Sequence, residues 1–305
     1  MPNALIYAAV VAVWGSSWLA IRYQLGVVPP EVSVVYRFVL SAVLVFAWAA
    51  WRGERLRFGP RAHLRMALLG VCLFCVNYAL VYMASQHLTT GLVATVFSTS
   101  VVMNIVNGAI FLGRPFQPRV AVGAACGLAG IAIVFWPELA AFDLGQARSL
   151  GLVLVLAGTL SFSIGNMVAT RNQAAGLPLL PSTAWSMSYG AAALAAYAAL
   201  RDRPFVFDPS LHYVGSLLWL AVFATVIGFA CYLTLLRRIG AERAAYATVL
   251  FPVVALSLST MFEGYVWSPP ALAGVGLILL GNVIVLSRPG VSAWLLRRGP
   301  AVPPA

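Results

Sequence analysis

Apolar runs of about 20 residues follow one another along nearly the whole chain, each long enough to cross a bilayer as a helix. That repetition leaves the fold little freedom. No water reaches the backbone inside the hydrocarbon core, so a span must satisfy its own N–H and C=O groups, as a helix does. Only 9% of the 305 residues are charged and 62% are hydrophobic, where a soluble domain carries about 25% charged residues. The chain reads as an all-α polytopic membrane protein. Its first apolar segment starts near Ala4 with no basic stretch before it. It is too long for the core of a signal peptide and counts as the first span.

Ten transmembrane helices are expected, near residues 4–25, 32–51, 63–84, 88–112, 118–136, 149–171, 181–200, 211–236, 242–263 and 269–287. Cytoplasmic loops collect basic residues, and all 19 basic residues here are Arg. With alternating loops, 14 fall on one side (Arg52 to Arg65, Arg114, Arg119, Arg171, Arg237 and others) and 4 on the other (Arg22, Arg148, Arg201, Arg203), with Arg37 inside a span. Both termini are therefore expected in the cytoplasm. The net charge of +11 reads as a topology signal with some attraction to anionic lipid, not as a nucleic-acid footprint. Arg-only usage hints at a GC-rich bacterial genome and so at the inner membrane. Cys72, Cys75, Cys126 and Cys231 all fall within spans and read as small apolar filler, since a metal or redox site needs further ligands or a helix N-terminus. No cofactor and no metal is expected.

The second half echoes the first at an offset of 149 to 151 residues. Tyr82 matches Tyr232, Ala94 matches Ala244, Gly123 and Gly130 match Gly274 and Gly281, and Arg22 and Gln24 match Arg171 and Gln173. Five spans per half is odd, so the second half must enter the membrane from the opposite side. The expected units are residues 1–137, an inverted second copy at 148–288, and a cytoplasmic tail at 289–305. Such inverted repeats place a substrate site between the halves near the membrane midplane.

Several stretches carry a resemblance. They are Trp14-Gly15-Ser16-Ser17, Arg37-Phe38 with Ser41-Ala42, LGRPFQPRVAVGAACGLAGIAIV (112–134) and GAERAAYATVLFPVVALSLS (240–259). Together the chain resembles the drug/metabolite transporter superfamily, in particular its bacterial EamA-type ten-helix exporters. The resemblance implies two inverted five-helix halves around a central cavity lined mainly by spans one, three, four, six, eight and nine. It implies movement of small metabolites, often outward, and the aromatic amino-acid exporters of the family have this size. One departure stands out: where the family usually has an acid after Leu-Gly at the end of span four, this chain has Arg114, while Glu263-Gly264 in the second half keeps the acid.

Polar residues within spans usually face the bundle interior or a cavity, and residues three or four apart share a helix face. Trp14 and Ser17 form such a pair in span one, within VVAVWGSSWLAIRYQLGVVPP (10–30). So do Tyr78 and Tyr82 beside Asn77 in span three. Ser100, Asn104 and Asn107 make a stripe in span four, and Thr159, Ser163, Asn166 and Thr170 a longer one in span six. Thr225, Phe229 and Tyr232 lie in span eight, and Tyr246 in span nine. These are candidates for a substrate cavity or for hydrogen bonds between helices, worth about 0.6 kcal/mol each. Tyr82 and Tyr246 also suit an interfacial belt. Gly123-x-x-x-Gly127 reads as a packing face, toward span ten or a second protomer. Pro252 is a candidate hinge. Arg37 either snorkels outward or pairs with Glu263 as a gate.

All eight carboxylates lie in loops or near span ends, and none of His63, His87 and His212 is mid-span. A proton-coupled carrier normally keeps a titratable group along its path, so transport without obligatory proton coupling is expected. No HExxH, GxSxG, P-loop or paired aspartate suggests a membrane-embedded enzyme, and a scaffold would not need polar stripes in both halves. A passive channel would need a repeated filter. A cavity of Tyr, Trp, Ser and Asn suits neutral or zwitterionic solutes, aromatic and other neutral amino acids first, and drugs or purine-like metabolites second. Beyond the substrate and the bilayer no partner is expected, and the chain reads as a monomer or weak homodimer.

Overall fold

The computed structural model describes residues 3–113, 118–134, 136, 146–228, 231–232 and 241–286, with side chains of 118–120, 241–249 and 285–286 left aside. These residues form ten helices. In chain order they are α1 (Asn3–Arg22), α2 (Pro30–Trp51), α3 (Pro60–Ala84), α4 (Thr90–Leu112), α5 (Pro118–Val134), α6 (Ala147–Ala174), α7 (Leu179–Leu200), α8 (Leu211–Ile227), α9 (Ala241–Phe262) and α10 (Pro269–Leu286). Five of them, α1, α2, α3, α4 and α6, are long and apolar enough to cross a membrane. Helix α7 has the same length as α2, 22 residues, but carries Ser182, Thr183, Ser186 and Ser188 in its first half.

The chain's punctuation sets the helix ends. Pro30 and Pro60 stand in the first turns of α2 and α3, where the missing N–H costs no intrahelical bond. Gly113 and Gly264 follow α4 and α9 with φ of 63° and 69°, a left-handed conformation that closes a helix and strains residues with a Cβ. Three interruptions inside helices were not expected from sequence. The Ser98 and Thr99 hydroxyls donate to the carbonyls of Thr95 and Val96, both at 2.7 Å, and α4 breaks there, as such local bonds compete with the helix. Helices α3 and α8 each contain a π-helical stretch, Gly70–Val76 and Trp219–Ile227. The two lie at matching points of the repeat. In the second, Thr225 Oγ1 donates to the Leu220 carbonyl five residues back, at 2.9 Å.

Helix pairing follows the repeat. Helix α2 packs along α7, and α5 along α10, each helix against its own counterpart; α1 packs on α9 and α6 on α4. In α5 and α10 the matched glycines meet crosswise. A Cβ on Gly274 would lie 2.6 Å from the Gly130 carbonyl oxygen, and one on Gly281 would lie 2.7 Å from that of Gly123. The pair therefore runs antiparallel, as an inverted relation between the halves requires. It also decides the partner of the Gly123 face, which is α10 of the same chain. Phe38, Tyr82, Met187, Leu194, Leu220 and Leu256 fill the interior. Val39, Val43, Leu128, Leu160 and Leu272 stand exposed on the outside, an apolar perimeter suited to lipid rather than water.

Gly274→Val should overpack this crossing and cost about 1–3 kcal/mol, whereas Gly276→Val, with open space around its Cβ position, should be tolerated. Thermal unfolding of both variants in the same detergent checks the contrast; equal loss in the two would contradict the contact.

Candidate functional site

Arg37 lies mid-helix in α2 and is 4% exposed. It does not snorkel, and it does not meet Glu263. Its guanidinium carbon sits 4.7 Å from the Tyr78 ring centre and 5.3 Å from that of Phe38, contacts worth about 0.5–2 kcal/mol each. Arg37 Nη1 donates to Tyr82 Oη at 3.4 Å. Tyr82 Oη in turn donates to Gln24 Oε1 at 2.8 Å. The Gln24 carbonyl accepts from Ser33 Oγ, which lies 3.0 Å from Tyr213 Oη. The resulting network joins the α1–α2 loop to α2, α3 and α8. Tyr82 is fully buried, so it takes no part in an interfacial belt.

Glu263 sits at the same end of the bundle, just beyond α9. Its Oε2 accepts from the Thr90 backbone N–H at 3.0 Å, from Thr90 Oγ1 at 2.7 Å and from Ser259 Oγ. The Gly91 N–H donates to Ser259 Oγ at 2.8 Å. First-turn N–H groups have no partner within their own helix, and a carboxylate there complements the helix dipole. Glu263 thus caps α4 from the other half of the chain. Its ion pair is with Arg22, at 3.9 Å. That arginine is half exposed, so the pair adds little. Glu31 is also buried and lies 3.7 Å from the half-exposed Arg203, but its Oε2 has no hydrogen-bond partner among the described residues.

The stripes of α4 and α6 meet each other. Asn166 Nδ2 donates to Asn104 Oδ1 at 3.1 Å, and Asn107 Nδ2 donates to Ser163 Oγ at 2.8 Å. Hydrogen bonding between helices accounts for these contacts, while Asn104 and Asn166 remain only partly buried. Ser100 is buried where the second half of α4 begins. Asn77 is buried, bonded to Leu73 one turn back at 3.2 Å, with its Oδ1 unpartnered among the described residues.

In α1, the Trp14 indole donates to the Ala224 carbonyl within the π-helical stretch of α8, at 2.8 Å. Its ring packs on Tyr232 and Phe251 at 5.2 and 5.6 Å. Gly15 faces α9, where a Cβ would press on Val254 at 2.7 Å. Ser17 Oγ bonds to Val13 in its own helix at 2.6 Å. Ser16 lines a cleft of about 250 Å³ between α1 and α8, with Leu19, Tyr23, Ser216 and Trp219. The small polar run thus faces three directions: close packing, its own backbone and a cleft. Pro252 lies inside α9 and is buried. Phe229 and the Tyr246 side chain lie outside the described residues.

Thr90 and Ser259 do not stand out in the sequence, and Gln24 stands out only as a repeat match. Gln24 lies past the end of its helix, and the other two look like ordinary small residues. Only the packing of α4 on α9 gives them shared partners.

A lipid-exposed bundle of helices, paired counterpart to counterpart and holding buried polar clusters, is the build of a polytopic membrane transporter. The chain belongs to the EamA-like transporter family, whose model matches residues 2–136 and again residues 149–287. Among curated relatives, it is 23% identical to Protein PagO of Salmonella typhimurium over 295 residues, covering 93% of this chain and 95% of that one. It is 27% identical to the uncharacterized inner membrane transporter YedA of Escherichia coli, covering 91% and 88%. A protein of Salmonella typhimurium described as a probable amino-acid metabolite efflux pump is 25% identical, with 90% and 91% covered. A solved crystal structure superposes with a TM-score of 0.67 over 96% of this chain and 98% of that one, at 18% identity, which shows the shared fold.

Removing Glu263 should free the start of α4. In Glu263→Ala, amide exchange at Thr90 and Gly91 should rise about tenfold, from the loss of charge-assisted bonds. Arg22→Gln should leave it nearly unchanged. Hydrogen–deuterium exchange read by mass spectrometry separates the two, and equal effects would show that the ion pair, not the cap, holds this end.

Proposed function

We propose that this transporter exports small neutral or zwitterionic metabolites, aromatic and other neutral amino acids foremost, by alternating access without obligatory proton coupling. The observation that carries the reading is the capped contact between the halves: one carboxylate at the end of α9 gathers a backbone N–H and a hydroxyl from the start of α4. A contact built from a few hydrogen bonds between two half-bundles can be broken and remade, which alternating access demands. The substrate class draws on the probable amino-acid metabolite efflux pump among the relatives and on aromatic and amide side chains inside the bundle. The coupling reading draws on the placement of all eight carboxylates in loops or near span ends.

In this reading Trp14, Tyr78, Tyr82, Tyr232 and the partly buried Asn104 and Asn166 contribute to the solute path, and Glu263 serves as the outer gate. The halves at 1–137 and 148–288 move against each other. Both termini face the cytoplasm, from the distribution of arginines, and the membrane is the inner one, as for the relative YedA. With the Gly123 face occupied by α10, the carrier works as a monomer or weak homodimer.

Flux into proteoliposomes tests this, with labelled Phe, Trp, Thr, Met, Lys and one purine, each with and without an imposed pH gradient. Saturable flux of the neutral amino acids that ignores the gradient is expected. A requirement for the gradient would overturn the coupling reading, and flux of the purine alone would overturn the substrate class. For the gate, Thr90→Cys with Ser259→Cys in a background lacking the native cysteines should cross-link under oxidant, since the two hydroxyls are 3.5 Å apart. Flux should then stop and return on reduction; undiminished flux through the cross-linked protein would remove the gate.

A further inference from the structure

We propose that Arg37, with Gln24 and Ser41, forms a buried carboxylate-recognition site at which the acid group of the transported solute docks. This deepens the amino-acid reading above and rests on it for the identity of the solute. The site stands on four observations.

First, among the described residues the cation is buried without an anion. Arg37 is 4% exposed, and its surroundings are two aromatic faces and the Tyr82 and Tyr78 hydroxyls. Of the carboxylates at this end, Glu263 pairs with Arg22, at 3.9 Å, and Glu31 with Arg203, at 3.7 Å. A buried charge is costly unless paired and hydrogen-bonded.

Second, the guanidinium is under-used. It has five N–H donors; the Tyr78 and Tyr82 hydroxyls engage it, the latter at 3.4 Å, yet Nε has no partner among the described residues.

Third, two further buried donors on the α1–α2 loop and on α2 are idle. Gln24 Nε2 and Ser41 Oγ are both buried and both lack partners among the described residues. Gln24 is tied to the guanidinium through Tyr82, and Ser41 stands one helical turn from Arg37 on the same face of α2.

Fourth, every one of these idle atoms carries hydrogen. A set of donors around a fixed cation matches a group that only accepts, and a planar carboxylate fits a guanidinium in the bidentate manner. The Tyr78 and Phe38 rings cover the cation in this conformation and give it a substitute for the missing anion. They also supply a flat apolar surface next to it, suited to the aromatic or aliphatic body of an amino acid.

The test uses purified full-length protein in detergent and four probes: L-phenylalanine, 3-phenylpropionate, L-phenylalaninamide and inorganic phosphate. Binding is read by thermal shift, and competition is read against labelled phenylalanine flux in proteoliposomes. Phenylalanine and 3-phenylpropionate should bind wild type saturably, and the amide and phosphate should not. Arg37→Gln should raise the half-saturating concentration of both acids about tenfold or more, the loss of a charge-assisted bond, with Arg37→Lys between the two. The proposal falls if the amide binds wild type as well as the acids do, if neither acid binds, if phosphate matches them, or if Arg37→Gln binds the acids unchanged. Should that variant fail to fold, the comparison of acid with amide in wild type decides alone. Arg37-dependent binding of 3-phenylpropionate without amino-acid flux would sink the amino-acid reading and leave the carboxylate site standing. Phenylalanine flux on which acid and amide compete equally would do the reverse.

Discussion

Lipid gives one apolar helix no hydrophobic reason to prefer another helix as its neighbour. Every contact in this bundle has to be made by something else, and the sequence supplies two means. One is close approach. Gly130 and Gly274 bring two backbones together, and Gly15 lets α1 lie against Val254 of α9. The other is the hydrogen bond between side chains of different segments: Asn104 with Asn166, Asn107 with Ser163, and Tyr82 with Gln24. At the α4–α9 crossing the two coincide, since Gly91 approaches Leu256 closely and its N–H donates to Ser259 Oγ. The α5–α10 pair relies on glycine, while α4 and α6 rely on amides and hydroxyls.

Charge is handled with the same economy. At one end of the bundle, two buried carboxylates, Glu31 and Glu263, each face a half-exposed arginine. Arg22 and Arg203 belong to the minority of basic residues on what the loop charges mark as the outer side, and their presence there has a local explanation. Arg37 is the exception in both respects, since it is deep in the bundle and its neighbours are aromatic.

The ten helices and the repeat were legible because each rests on a long signal: a 20-residue apolar run, or an offset held across the chain. The stripes of α4 and α6 were legible too, though their choice of partner was not, because helical spacing gives the face of a residue and not what lies opposite. Arg37 misled for a related reason. Its distance from the span end allowed snorkelling or a salt bridge, and nothing local shows that Tyr78 and Tyr82, 41 and 45 residues further on, would enclose it. The cap at Glu263 joins residues more than 160 positions apart. The π-helical stretches were the least visible, since Gly70–Val76 and Trp219–Ile227 read as uninterrupted apolar helix.

Those two stretches carry a geometric consequence. A π turn holds an additional residue within an otherwise regular helix. Returning one such turn to α geometry moves everything beyond it forward by one position, which amounts to about 100° of rotation about the helix axis. In α3 the part that would turn carries Asn77, Tyr78 and Tyr82. In α8 the stretch supplies the carbonyl that holds Trp14. Among the described residues, each half thus contains a helix whose winding bears on the face its side chains present, and the two helices are counterparts in the repeat.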